Sequence, residues 1–241
     1  MLLIVASILV LMFLNLVLGS VSIPLKSVWN IICGLGDEPV TWQNIVWKSR
    51  LPQALTALVA GAGLAISGLQ MQTVFRNPLA GPSVLGISSG ASMGVAFVVL
   101  LSGSLGGVAL SKLGFMGEIA LSIAAVIGSL SVMALIVYVS QKVKGNVTLL
   151  IIGVMIGYVA NAVIGVLKFF SVEEDIRAYV IWGLGSFSRV SGNQMMLFVA
   201  IMVILIPLSF LLIKTLNLML LGDGYALSLI HISEPTRLGM I

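Results

Sequence analysis

The sequence carries very little charge. Aspartate, glutamate, lysine and arginine together make up only 8% of its 241 residues, whereas 59% are apolar. A soluble domain contains about 25% charged residues and about half apolar residues. Such a composition cannot cover a water-facing globular surface, and it is too hydrophobic for a disordered chain. It therefore excludes a soluble enzyme and indicates an integral membrane protein.

Cysteine and histidine are almost absent as well. Each occurs once, as Cys33 and His231. A lone cysteine cannot form an internal disulfide, and a lone histidine cannot build a histidine metal cluster, so no metal site is expected. No cofactor is expected either. The sequence also lacks the Gly-x-x-x-x-Gly-Lys-Ser/Thr phosphate loop, which excludes ATP binding of that kind. No catalytic pair lies in the apolar stretches, so no catalytic residue is assigned and an intramembrane enzyme is disfavoured.

Long apolar runs dominate what is present. A bilayer core of about 30 Å is crossed by about 20 apolar residues in a helix. These runs predict an all-α, polytopic membrane bundle. Six stretches are long and apolar enough to cross a bilayer, and none contains Asp, Glu, Lys or Arg: 1–18, 51–75, 83–101, 119–141, 147–167 and 194–213.

The formal net charge of +4 is spread thinly over the loops and forms no basic stripe, so nucleic acid is not an expected partner.

Small residues recur at intervals of four in two of these stretches. Positions four apart lie close together on a helix face, and small side chains allow helix backbones to approach closely within lipid. Close helix packing is the simpler interpretation, and a smooth face lining a wide path for a bulky substrate is the alternative. The residues concerned are Gly86, Gly90 and Gly94 in the third stretch and Gly153, Gly157, Asn161 and Gly165 in the fifth.

The most specific pattern surrounds the second stretch. It consists of Arg-Leu-Pro at 50–52, a Gly/Ala-rich helix, Arg-Asn-Pro-Leu-Ala-Gly-Pro at 76–82 and Leu-Gly-Ile-Ser-Ser-Gly-Ala at 85–91. This pattern resembles the FecCD/BtuC-like family of membrane permeases, which belong to ATP-binding-cassette (ABC) importers for iron–siderophore complexes, haem and vitamin B12. Weaker similarity extends over nearly all of residues 1–228.

The resemblance implies a permease subunit of an ATP-driven importer. In that family two permease chains pair, as a homodimer or heterodimer, around a translocation path. A cytoplasmic ATPase dimer binds beneath them, and an extracytoplasmic substrate-binding protein docks on the outer face. The chain is therefore expected to be a multi-pass protein of a bacterial or archaeal cytoplasmic membrane. The family places the N-terminus inside, although the Lys and Arg count in the loops favours the reverse orientation.

The resemblance also suggests roles for particular residues. Arg50 matches a family arginine at the outer end of the second helix, which meets an acidic residue on the binding protein. Asn146 aligns with the inner gate, in the turn before the fifth helix. Asp223 stands where the family commonly has glutamate, in the segment that couples the permease to the ATPase. The residues that match the start of this coupling segment are Leu220, Leu221, Gly222, Asp223, Tyr225 and Ala226.

The end of the sequence departs from the family. Family members usually have ten transmembrane helices, of which about six are predicted here. We expect a partial transmembrane permease domain over 1–228 and a foreign or read-through tail over 229–241, and such a chain is not expected to transport by itself. A permease of the same fold for another metal-linked cargo remains open. The alternative function is a non-transporting membrane fragment or scaffold, which would form no complex with an ATPase.

Overall fold

A computed structural model describes residues 2–35, 38–104, 115–143, 145–187, 190 and 192–220. These residues form ten α-helices, and no strand occurs among them, so the predicted all-α fold is confirmed over this part of the chain. A π-helical turn, Val46–Arg50, joins α3 to α4. The helices are α1 Leu2–Val17, α2 Leu25–Cys33, α3 Val40–Ile45, α4 Leu51–Phe75, α5 Ile87–Ser104, α6 Phe115–Ser140, α7 Asn146–Phe169, α8 Glu173–Gly183, α9 Gly192–Phe210 and α10 Ile213–Leu220.

Each of the six apolar stretches lies largely in a helix, with some differences at the ends. α5 begins at Ile87 rather than at 83, because the preceding Gly86 has a left-handed φ of 72°. α9 ends soon after Pro207, whose ring nitrogen carries no hydrogen for the helix ladder. Two apolar helices are shorter than a full membrane span: α1 and the Ile87–Leu101 part of α5. Those with the length and composition to cross a membrane are Val40–Phe75, Met116–Ser140, Asn146–Phe169 and Gly192–Phe210.

The π turn lies immediately before Pro52. Proline lacks the N–H that would bond to the Lys48 carbonyl in a regular helix, and its ring clashes with that carbonyl. The Leu51 N–H instead donates to the Val46 carbonyl, one residue further back than in an α-helix. The helix thereby continues from Val40 through Phe75 without a break.

The first of two compact units comprises the described residues within Met1–Ile66 and Ser186–Ile213. α2 is amphipathic and buries Val28 and Ile31. α9 approaches α4 at Gly63, where an added Cβ would collide with the Met202 side chain. The core of this unit consists of Leu16, Ile23, Val28, Ile31 and Val46.

The second unit comprises the described residues within Ser67–Gly185 and Lys214–Ile241. α5 lies at its centre and packs against α6, α7 and α8. Ala80 and Leu85, from the link between α4 and α5, are buried together with side chains of α6 and α7. The link is therefore fixed by apolar packing as well as by hydrogen bonds. The two cores of this unit are Val95, Ala96, Val99, Leu100, Ile164 and Tyr179, and Ala80, Leu85, Val132, Ile136 and Leu150.

Candidate gate and coupling site

Helix α4 ends in a hydrogen-bonded turn at Arg76. The Arg76 N–H donates to the Thr73 carbonyl at 3.2 Å. The Asn77 N–H donates to the Gln72 carbonyl at 3.1 Å. This pair of bonds is a Schellman motif, in which the residue corresponding to Arg76 is usually glycine because its φ is positive. Arg76 has a φ of 48°, which costs a residue with a Cβ roughly 1–2 kcal/mol.

The link after α4 is a compact turn organised by Asn77. The Leu79 N–H donates to Asn77 Oδ1 at 2.9 Å, so the side chain closes an Asx turn. The Ala80 N–H donates to the Asn77 carbonyl at 3.0 Å. Side chain and backbone of one residue thus hold the Arg-Asn-Pro-Leu-Ala motif in a defined conformation.

Asn146, the predicted inner-gate residue, is the first residue of α7. Its Nδ2 donates to the Val74 carbonyl at 3.4 Å. Val74 lies in the last turn of α4, where carbonyls have no partner within the helix. The structure therefore brings Asn146 to the end of α4, next to the link. The gating role itself stays a prediction.

The end of α10 meets the same region. Arg76 Nη2 donates to the Met219 carbonyl at 2.8 Å, across 143 positions of sequence. Met219 lies in the last turn of α10, and Leu220, the first residue of the predicted coupling segment, ends the helix with an exposed side chain. The remaining predicted coupling residues lie outside the described part of the chain; they are Leu221, Gly222, Asp223, Tyr225 and Ala226.

The glycines of α5 contact the backbone of α6. A Cβ added to Gly90 would lie 2.7 Å from the Gly128 carbonyl oxygen, and one added to Gly94 would collide with the Ala124 carbonyl. A Cβ on Gly128 would in turn collide with the Gly90 carbonyl. The two helices therefore touch through their backbones at these positions. Sequence reasoning missed Gly128, although Ala124, Gly128 and Val132 follow the same spacing of four.

Gly86 and Gly153 form a second close contact, between the link and α7. A Cβ on Gly86 would lie 2.7 Å from the Gly153 carbonyl oxygen, and its positive φ independently favours glycine. A Cβ on Gly157 would lie 3.3 Å from Ser89 Oγ. Both α7 glycines are buried. These positions support the packing interpretation of the small residues.

Asn161 and Gly165 do not join that contact. Both are exposed, and nothing lies within 4 Å of the position of an added Cβ on Gly165. Successive residues turn by 100°, so a spacing of four advances by about 40° at each step and leaves the buried face. The buried face of α7 instead follows Leu150, Gly153, Gly157, Ala160 and Ile164.

Arg50, the predicted docking residue, is buried in the first unit with 5% of its surface exposed. Its Nη1 donates to the Leu16 carbonyl at 2.7 Å and to the Val17 carbonyl at 2.8 Å, and its Nη2 donates to the Val21 carbonyl. Carbonyls at a helix C-terminus attract cations. The guanidinium group therefore binds the end of α1 and the loop after it.

A buried acidic side chain lies at the start of α8. Asp175 has 6% of its surface exposed, and its Oδ2 has no hydrogen-bond partner among the described residues. Burial raises the pKa of the Asp175 carboxyl, and the neighbouring Glu174 carboxylate raises it further. One turn on, burial raises the pKa of the Tyr179 hydroxyl, against the opposing effect of its hydrogen bond with Ser92.

These features define a class of protein: a polytopic helical membrane protein in which α5 packs against α6 through glycine backbones and Arg50, Arg76 and Asn146 bind carbonyls at helix ends. The chain belongs to the FecCD transport family, whose model matches residues 7–238. That range extends into the segment 229–241, for which a foreign origin is predicted. The predicted family resemblance is thereby confirmed.

Curated relatives include three permeases with different cargoes in their names. The chain is 34% identical to the hemin transport system permease protein HmuU of Yersinia pestis, covering 87% of this chain and 59% of the relative. It is 37% identical to a probable iron chelatin transport system permease protein of Helicobacter pylori, over 80% of this chain and 55% of the relative. It is 37% identical to the vitamin B12 import system permease protein BtuC of Photorhabdus laumondii, over 77% of this chain and 52% of the relative. The chain thus spans little more than half the length of these relatives.

A solved structure has the same fold. It is a metal-chelate type ABC transporter in an inward-facing conformation, with a TM-score of 0.72 and 26% sequence identity. The similarity covers 92% of this chain and 64% of the solved one. Fold and family therefore agree with the sequence-based prediction of an ABC-importer permease.

Proposed function

We propose that the chain belongs to the membrane-spanning permease subunit of an ATP-driven importer for iron–siderophore complexes, or for related haem or vitamin B12 cargo. The observation that carries the proposal is an identity of 34–37% to named permeases over 77–87% of this chain. The protein contributes the translocation path, and a separate ATPase dimer hydrolyses ATP. A second permease chain completes the path.

The chemistry of the helices suits a bulky cargo. None of the six apolar stretches contains a charged residue, and rings of charge or ordered carbonyls are typical of pores for small ions. A large chelate needs a wide path that binds it weakly, because tight binding would prevent release. Capture is the task of the extracytoplasmic binding protein, so the permease requires no strong site of its own.

On the cytoplasmic side, the segment from Leu220 to Ala226 couples the permease to the ATPase, and Asn146 belongs to the inner gate. Support comes from the hydrogen bond between Asn146 and Val74 and from the position of Met219 beside Arg76. Nucleotide-driven motion enters at the end of α10 and reaches the link between α4 and α5.

On the outer side, Arg50 contributes to docking of the binding protein. Because its guanidinium is engaged by three carbonyls, we propose that it acts by holding the loop after α1 in the shape that the partner meets. The assembly lies in a bacterial or archaeal cytoplasmic membrane.

Binding to the ATPase tests this proposal. The chain is purified in detergent and titrated with the ABC ATPase encoded in the same source, in wild-type form and with Asp223→Lys or Tyr225→Ala. The expected result is a stable complex whose Kd rises at least about tenfold in either variant, a change of about 1.4 kcal/mol. Lys26→Gln, which alters an exposed cation of α2, serves as the control. Failure of the wild-type chain to bind any such ATPase would favour the scaffold alternative.

A further inference from the structure

We propose that Arg76 is the positioning residue that connects the end of α4 to the end of α10, so that movement at the coupling segment is transmitted to Asn146, the proposed inner-gate residue. The inference rests on the proposed function, but the contact between Arg76 and Met219 can be measured independently of that function. Nothing in the family motif assigns this contact, since Met219 lies 143 positions away.

The backbone at Arg76 favours glycine rather than arginine. Its φ of 48° lies in the left-handed region, and both hydrogen bonds of the Schellman turn are made by backbone atoms. Glycine would form this turn without steric cost. A side chain that persists in a disfavoured conformation points to a function for that side chain.

The guanidinium group supplies such a function. Its Nη2 donates to the Met219 carbonyl at 2.8 Å. Carbonyls in the last turn of a helix lack intrahelical partners and attract positive charge. Arg76 therefore holds the end of α10 one residue before Leu220, at which the predicted coupling segment begins.

The same turn of α4 is bonded on its other side. The Val74 carbonyl accepts a hydrogen bond from Asn146 Nδ2 at 3.4 Å. Residues 74–76 thus accept a hydrogen bond from the start of α7 and donate one to the end of α10. A displacement of α10 therefore displaces Arg76 and, through the hydrogen-bonded turn, the Val74 carbonyl to which Asn146 is bonded. This is a mechanical connection between the two sites that the proposed function requires to move together.

The first experiment measures the contact itself. Amide hydrogen exchange is compared between the wild-type chain and Arg76→Gly in detergent. Lys142→Gln, which removes another cation from the turn just after α6, is the matched control. Lys142 Nζ donates a hydrogen bond to the Tyr138 hydroxyl at 2.7 Å and lies over the Tyr138 ring. We expect exchange at the end of α10 to rise at least about fivefold in Arg76→Gly alone, since lost local contacts lower protection. Unchanged protection of α10 would overturn the inference.

The second experiment measures transmission. The complete protein encoded at the source locus is reconstituted with its ATPase and binding protein, and cargo uptake is divided by ATP hydrolysed. We expect Arg76→Gly to fold and still assemble with the ATPase but to lose at least about fivefold in uptake per ATP. Arg76→Lys, which keeps the positive charge and an N–H donor group, should recover part of the loss. Wild-type uptake per ATP in Arg76→Gly would refute transmission while leaving the proposed function intact, whereas absence of ATP-driven uptake in the wild type would refute both.

Discussion

Removing the Arg50 side chain tests whether its primary role is structural. Its guanidinium group makes one buried and two partly buried hydrogen bonds to carbonyls, two at the end of α1 and one in the loop after it. A hydrogen bond to a charged group contributes about 1.5–3 kcal/mol, and a buried acceptor left without a partner is destabilising by about 1–3 kcal/mol. The Leu16 carbonyl cannot regain water easily, whereas the other two can in part. We therefore expect Arg50→Ala to lower the free energy of unfolding by about 3–4 kcal/mol.

The assay is reversible unfolding in mixed micelles by added SDS, followed by tryptophan fluorescence. Trp29, Trp42 and Trp47 lie in the same unit as Arg50 and report on it. Lys48→Ala is the matched control, because Lys48 is an exposed cation in the same π turn. Exposed substitutions of this kind change stability by about 0.5 kcal/mol or less.

Gly19 offers an independent way to disturb the same contact. An added Cβ would lie 2.8 Å from Arg50 Nη2 and 3.1 Å from Cζ. Gly19 does not have a positive φ, so alanine introduces no backbone strain there, and the atoms nearest to its Cβ belong to the guanidinium. Gly19→Ala should reproduce part of the loss, and the double variant should lose less than the sum of the two. If Arg50→Ala were as stable as Lys48→Ala and only weakened docking, the structural account of Arg50 would be refuted.

Two further predictions follow from burial and packing. Because burial raises the native pKa of Asp175 above 3.8, the folded state binds its proton more tightly, and stability falls as pH rises through the native pKa. Asp175→Asn should therefore be more stable than wild type at pH 7, and this advantage should vanish below pH 3.8. SDS titrations at several pH values measure it, and a difference in unfolding free energy that does not change with pH would contradict the prediction. Gly128→Ala should destabilise by about 2–3 kcal/mol, because its Cβ meets the Gly90 carbonyl. Gly165→Ala, which meets nothing, should be neutral or stabilising by about 0.5–1 kcal/mol; equal losses in the two variants would show that the contact is not backbone-to-backbone.

The sequence was sufficient to predict the six apolar helices, because lipid-spanning helices require long apolar runs and each run is visible by itself. It did not predict the short helices α2, α3 and α10. The positions of the helix ends were harder, because they depend on single residues. Gly86 delays α5 through its positive φ, and the ends of α4 are set by Pro52 and by the turn at Arg76.

The environment of Arg50 could not be predicted from the sequence. Its acceptors lie 29 to 34 positions earlier in the chain and are backbone carbonyls, which carry no sequence signal. The resemblance suggested a cation that meets the binding protein. The structure buries Arg50, and its docking role stays a prediction. The contact between Arg76 and Met219 was invisible for the same reason.

The small-residue pattern was informative in part. Spacing by four includes glycines that lie against neighbouring backbones, as at Gly90 and Gly153. The same spacing also includes Asn161 and Gly165, which are exposed. They leave the buried face of α7 because a helix repeats every 3.6 residues rather than every four. The pattern also omitted Gly128, since one glycine in an apolar helix is not distinctive until its partner helix is known.

ATP-driven uptake is the most direct test of the proposed function. The complete protein encoded at the source locus is reconstituted in liposomes with its ATPase and binding protein, and accumulation of ferric siderophore, haem and cobalamin is measured separately. We predict that at least one of the three accumulates only with ATP and only with a hydrolysis-competent ATPase. If none accumulates while the ATPase remains assembled and active, the permease account of this chain is wrong.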